Sequence, residues 1–207
     1  MIQILFFNGW GMDESIISHI EVPSNVLLTE IHSFHQYQEP DIDKEANQVY
    51  VIGWSLGVIC ATEFYLKNKD RITNYIVING SCDSFSREKG LPKRLSMLTA
   101  RSWNEKNRET FNLKMNGCHM TMDKVSKRSV EDQKKELEYL MQNKEVVYSD
   151  EMKEADSKIK VYISSEEAIF PKQNLERCWA SQNIELLESK YHNPFISTAT
   201  WMEWIQN

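Results

Sequence analysis

Short apolar runs alternate with stretches of helical period along most of this chain. Residues 2–7 form an apolar run closed by Asn8-Gly9-Trp10-Gly11. Further runs lie at residues 26–31, 49–52, 75–78, 159–163 and 184–187, the run at 75–78 ending in Asn79-Gly80. Runs this short, rich in β-branched and aromatic residues, predict strands buried on both faces. Between them, Asp13 can cap a short helix through about Ile20. A helix from Leu56 to about Asn68 puts Leu56, Ile59, Cys60 and Phe64 on one face and pairs Glu63 with Lys67 at i,i+4. Pro171 and Pro194 suit first helical turns, predicting helices from Pro171 to about Ala180 and from Pro194, with Asn193 as N-cap, to the end. The region from Ser84 to Glu145 is helical in pattern and polar, with no strand signal before a short one at Val146-Val147-Tyr148. Strands alternating with helices predict an α/β fold with a parallel sheet covered on both faces. We expect one domain over 1–207, with a helical insertion at about 84–150 of the kind that serves as a lid.

One strand-to-helix junction carries chemistry. Gly53-Trp54-Ser55-Leu56-Gly57 fits G-x-S-x-G between the strand at 49–52 and the helix from Leu56. Glycines flank the turn where a Cβ would clash, and the bend pushes a serine hydroxyl out at the top of the sheet. The helix N-terminus below it favours negative charge. The pattern in this context predicts the nucleophile elbow of a serine hydrolase, with Ser55 as nucleophile, against the alternative of a chance match.

A serine hydroxyl needs a base within hydrogen-bond reach and a third group to orient that base. In such folds the order along the chain is serine, acid, histidine. His19, His32 and His35 precede Ser55, and His119 lies inside the insertion, which leaves His192, between the last strand and the last helix. His32 and His35 form H-x-x-H without an evident third ligand, so we expect no metal there. For the acid, Glu167, Glu166 and Asp83 all follow strands and stay open on this reasoning. An oxyanion hole draws one amide from the residue after the nucleophile, Leu56, and one from an earlier strand loop, where Trp10 stands. The Trp10 ring also suits a pocket wall.

Bulk properties narrow the setting. A chain of 207 residues with 41% apolar residues and a net charge of −6 suits one globular core. It has no apolar stretch long enough to span a bilayer, and its start reads as a strand and not as a signal peptide. Cys60, Cys82, Cys118 and Cys178 are scattered, without metal-ligand spacing, which suits a reducing, cytoplasmic setting. Residues 84–130 hold eleven lysines and arginines against four acids, a balance of +7 that leaves −13 for the rest. Such a basic segment is either an ordinary solvated helical surface or a face for an acidic partner.

Together these segments resemble a known family. Asn8-Gly9-Trp10-Gly11-Met12 resembles the H/N-G-W-G loop of the pimeloyl-acyl-carrier-protein methyl ester esterases, and Gly53-Trp54-Ser55-Leu56-Gly57 their G-W-S-L-G elbow. Tyr191-His192-Asn193-Pro194-Phe195-Ile196-Ser197 resembles their histidine loop, H-x-P-F-I-S. Glu167-Ala168-Ile169-Phe170-Pro171 stands where their acid loop, D-x-I/L-V/F-P, lies, with glutamate in place of aspartate. The stretch 103–117, with Phe111 and Lys114-Met115, is similar to the lid of the shorter, biotin-synthesis branch. The resemblance implies an α/β-hydrolase trimmed at its N-terminus, beginning near the third strand of the full fold. It implies Ser55 as nucleophile, His192 as base, Glu167 as acid, the Trp10 and Leu56 amides as oxyanion hole, and Trp10 and Phe111 as substrate contacts. It implies a carboxylesterase acting on pimeloyl methyl ester carried by acyl carrier protein, with Arg94, Arg101, Arg108 and Lys114 gripping that partner. No cofactor, metal, nucleic acid or membrane is expected. Oligomeric state stays open, a monomer being compatible. A general small-acyl esterase or thioesterase, or a silent hydrolase that only binds, are the alternatives.

Overall fold

The computed structural model describes residues 1–117, 125–144 and 154–206. Cys118, His119 and the strand expected at Val146-Val147-Tyr148 lie outside the described residues. Six strands form one parallel sheet: β1 (Ile2–Phe7), β2 (Val26–Ile31), β3 (Gln48–Trp54), β4 (Asn74–Ile78), β5 (Ile159–Ser164) and β6 (Asn183–Leu187), in the order β2-β1-β3-β4-β5-β6. The helices are α1 (Gly57–Asn68), α2 (Lys93–Ser102), α3 (Glu105–Asn116), α4 (Val130–Asn143), α5 (Lys172–Cys178) and α6 (Met202–Ile205). Helices α2 to α4 lie between β4 and β5 in the chain.

The strands read as unbroken apolar runs because both faces are covered. Side chains alternate across the pleat. Leu5, Phe7, Val49, Val51, Tyr75, Val77 and Val161 pack with Ile59 and Phe64 of α1, Leu140 of α4 and Leu175 of α5. Their neighbours Ile4, Phe6, Tyr50, Ile52, Ile76, Ile78 and Tyr162 pack on the other face with Ile16, Phe195, Trp201 and Trp204. No helix among the described residues is long and apolar enough to cross a membrane.

Three local expectations are corrected. The helix after Asp13 is a single 3-10 turn, Glu14–Ile16, with Asp13 accepting from the Ser15 N–H. Beyond it the chain must extend, because Glu21 exchanges backbone hydrogen bonds with Ala199 and Trp201. The same pairing splits the expected C-terminal helix into a 3-10 turn at Pro194–Ser197, capped by Asn193, and the short α6. Glu63 and Lys67 do not pair with each other: Glu63 takes Lys144 at 2.5 Å and Lys67 takes Glu39 at 2.7 Å. Partners from other elements outcompete an i,i+4 contact worth only about 0.3 kcal/mol.

The scattered cysteines are not all apart. Cys82 and Cys178 are fully buried with their sulfurs 3.3 Å apart. The thiol of Cys82, hydrogen-bonded to Cys178, draws the Cys178 thiol down to about 7.

Candidate active site

The chain runs from β1 out to β2, then crosses back past β1 to β3. The sheet order therefore reverses between β1 and β3, and a crevice opens at the carboxyl ends of strands at such a point. Trp10 follows β1 there, and Ser55 follows β3. The elbow is tight. Ser55 has φ of 55°, a left-handed value that costs a non-glycine residue energy. The turn closes because Gly53 and Gly57 lack side chains. A Cβ at Gly57 would lie 2.2 Å from the Asn8 carbonyl oxygen, and one at Gly53 2.8 Å from the Ala61 side chain.

Ser55, His192 and Glu167 form one hydrogen-bonded chain. Ser55 Oγ and His192 Nε2 are 2.8 Å apart. His192 Nδ1 faces both Glu167 oxygens, at 2.8 and 2.9 Å. The side chains of His192 and Glu167 are sealed, 1% and 0% exposed. The Glu167 carboxylate also accepts the Ile169 and Phe170 amides of its own loop at 2.6 and 2.9 Å, which fixes its orientation. The His192 carbonyl accepts from Trp54 Nε1 and from Asn79 Nδ2, each at 2.9 Å. Phe170 stacks on the imidazole at 6.1 Å between ring centres. Of the other candidate acids, Glu166 is exposed and pairs with Lys190 at 3.1 Å. Asp83 is held by its backbone, its amide donating to Ser81 Oγ at 3.0 Å and its carbonyl accepting the Ser86 amide.

The amides of Trp10 and Leu56 belong to buried residues, 5% and 3% exposed, and neither donates a hydrogen bond among the described residues. Buried amides are nearly always paired, so two unpartnered ones in the loops next to the Ser55 hydroxyl could receive an anion.

The loop carrying Trp10 is held by α4. Glu136, fully buried, accepts the Gly11 and Phe34 amides, each at 2.8 Å, and pairs with Arg128 at 2.8 Å. Gln133 donates to the Gly11 carbonyl at 2.8 Å, and its own carbonyl accepts Trp10 Nε1 at 2.6 Å. Gln133 Oε1 accepts Trp103 Nε1 at 3.0 Å. Sequence reasoning missed Arg128, Gln133 and Glu136. A signal was there: Gln133 and Glu136 occupy the stripe continued by Leu137, Leu140 and Met141, where a helix buries apolar side chains.

A cavity of about 210 Å³ opens over Ser55. Its walls are mostly apolar, and Trp10 and Phe111 both line it, their rings 5.5 Å apart. Lys114 lines it as well. Arg94 and Arg101 lie exposed on α2. Arg108 is half-buried, held by Glu105 and by the Arg128 carbonyl, the latter at 2.9 Å. His32 and His35 do not converge: His32 bonds Glu30 at 2.6 Å and His35 bonds Asp132 at 3.0 Å. Glu14, Glu30 and His32 bring ligand-type atoms within 4.8 Å of one another. Both Glu30 oxygens there are already used, by Asn8 and by His32.

Comparison with known proteins bears on the fold and on the family. Among solved structures, BioG from Haemophilus influenzae superposes with a TM-score of 0.79 at 20% identity, covering 98% of this chain and 94% of that one. The esterase RhEst1 from Rhodococcus sp. ECU1013 gives 0.64 at 13% identity, covering 94% and 84%. At such identities the likeness establishes the fold, that of the α/β-hydrolases. A protein of Bacteroides fragilis (strain 638R) named malonyl-(acyl-carrier protein) O-methyltransferase is 27% identical over 184 residues. That match takes in 85% of this chain but only 36% of the longer protein. The pattern of one family, described as Pimeloyl-ACP methyl esterase BioG, matches residues 2–203, and the chain belongs to that family.

Proposed function

We propose that this chain is a serine carboxylesterase that cleaves the methyl ester of a pimeloyl group carried on acyl carrier protein. The observation that carries the reading is the Ser55–His192–Glu167 chain, lying in the crevice beside two unpartnered amides. Ser55 Oγ attacks the ester carbonyl while His192 Nε2 takes its proton. Glu167, on Nδ1, holds the ring in the required tautomer and balances the imidazolium charge. The Trp10 and Leu56 amides receive the negative oxygen of the tetrahedral intermediate. His192 gives the proton to departing methanol, then deprotonates a water that releases the free carboxylate from Ser55. No cofactor enters these steps.

Family membership supports the pimeloyl substrate. The relative named for methylating a carrier-linked acid supports the same class of ester, since a carboxyl capped by a methyl group is what this chemistry would uncap. Helices α2 to α4 act as the lid of a single domain, with Arg94, Arg101 and Lys114 facing the acidic carrier. Arg108, already bonded within the insertion, contributes less.

The test is turnover of carrier-linked pimeloyl methyl ester, together with mass spectrometry after a fluorophosphonate probe. Methanol release and an adduct on Ser55, both absent in Ser55→Ala, are the expected result. An unlabelled, folded protein would instead be a silent binding protein. Turnover of short p-nitrophenyl esters without turnover of the carrier-linked ester would make it a general esterase.

A further inference from the structure

The cavity over Ser55 is lined along α2 by two hydroxyl residues, Ser96 and Thr99, beside apolar walls that include Leu91, Leu95, Leu137 and Ile169. Thr99 uses its hydroxyl at home, donating to the Leu95 carbonyl at 3.1 Å. Ser102, further along, donates to the Leu98 carbonyl at 2.9 Å in the same way. Bonding back to the carbonyl four residues earlier is thus the habit of the hydroxyls on this helix. Ser96 departs from it. The carbonyl in question, that of Pro92, receives the Leu95 and Ser96 amides. Ser96 is 4% exposed and lines the cavity; its Oγ is sealed without a hydrogen-bond partner among the described residues, and a rotation about χ1 is what would offer it to a ligand.

A buried hydroxyl without an acceptor costs free energy, and an acceptor oxygen brought by a ligand returns it. A purely apolar chain lying along α2 would leave that cost in place. A chain with a carbonyl at this point would remove it. Such asymmetry lets a site reject an analogue that lacks the matching group.

We propose that Ser96 is a specificity-determining residue: it donates a hydrogen bond to a second carbonyl of the acyl chain, remote from the ester that Ser55 attacks. The cavity therefore selects derivatives of dicarboxylic acids over esters of simple fatty acids. This rests on the esterase reading above and adds to it the group that recognises the far end of the chain.

The experiment compares kcat/KM for dimethyl pimelate with that for methyl nonanoate, a chain of like length without the second carbonyl. In the wild type the ratio favours the diester. In Ser96→Ala the ratio falls roughly tenfold, the scale of one lost neutral hydrogen bond. Leu95→Ala, which removes apolar wall only, slows both substrates and keeps the ratio. A Ser96→Ala ratio equal to that of the wild type overturns the proposal while leaving the esterase reading intact. Wild-type protein that cleaves neither ester and takes no phosphonate on Ser55 overturns both.

Discussion

Asn193 donates its side-chain amide to Asn116 Oδ1 across 2.9 Å, and its backbone amide to the Met115 carbonyl at 3.2 Å. The residue after the proposed base is thereby fastened to the last turn of α3. Gly117, which closes that turn at φ of 57°, sits so close to the Tyr191 ring that a Cβ there would approach it to 1.8 Å. The imidazole is therefore positioned partly by the insertion. Replacing Asn116 by Ala should lower kcat by roughly three- to tenfold with a smaller change in KM, since one neutral hydrogen bond is lost from positioning and none from substrate contact. Steady-state kinetics on a soluble ester reads the split, and an effect confined to KM would contradict it.

Glu167 holds the imidazole through both oxygens, so the isosteric Glu167→Gln offers an amide to the ring and favours the wrong tautomer. We expect kcat to fall by about 10³–10⁴-fold with little change in KM, the order of loss that follows when the acid of a serine triad becomes an amide. Asp83→Asn, assayed beside it, should stay within about threefold of wild type, as surface changes away from the chemistry do. The reverse ranking would move the acid to Asp83.

Glu136 is a fully buried carboxylate with Arg128 and two backbone amides as partners. Removing it leaves two orphan amides and takes from Arg128 one of its two carboxylate partners, the other being Asp132 at 2.7 Å. Glu136→Ala should cost about 3–5 kcal/mol in urea denaturation, as breaking one side of a buried pair does. It should also slow ester cleavage, because Gly11 sits next to the proposed oxyanion amide of Trp10.

Carrier docking through exposed lysines and arginines implies salt sensitivity. Raising ionic strength should increase KM for a carrier-linked ester and leave a free neutral ester nearly unaffected. Arg94→Glu with Arg101→Glu should mimic high salt. Indifference of the carrier-linked substrate to both would remove the docking face.

His32 gives a pH signature. The Glu30 carboxylate on its Nδ1 raises His32 above its ordinary 6.5. A group raised in the folded state contributes stability fully below its unfolded value and loses it as pH climbs through the folded value. Wild type should therefore melt higher than His32→Asn below pH 6.5, and the gap should close as pH rises above that value. A gap that widened with pH would contradict the sign.

The sheet was legible because each strand is a short apolar run between turn residues, and β1 and β2 fall where the pattern puts them. The elbow and the histidine loop were legible for a different reason: a sharp turn and a late loop each demand particular residues in local order. Glu167, Asp83 and Glu166 stayed open in the sequence, since all three follow strands and only folding decides which one reaches the ring. The brace from Gln133 and Glu136 was hidden because its partners, Gly11 and Phe34, lie about a hundred residues earlier. Cys82 and Cys178 met for the same reason, through packing between β4 and α5 that no local spacing encodes.

The brace has a bearing on how such proteins can be recombined. A covering segment that only shielded the crevice could be exchanged between relatives as a cassette. Here the incoming segment must supply a glutamine and a glutamate matched to the loop after β1, or the turn that carries Trp10 loses its splint. Chimeras cut at the ends of α2 and α4 should thus work only when residues 9–12 travel with them.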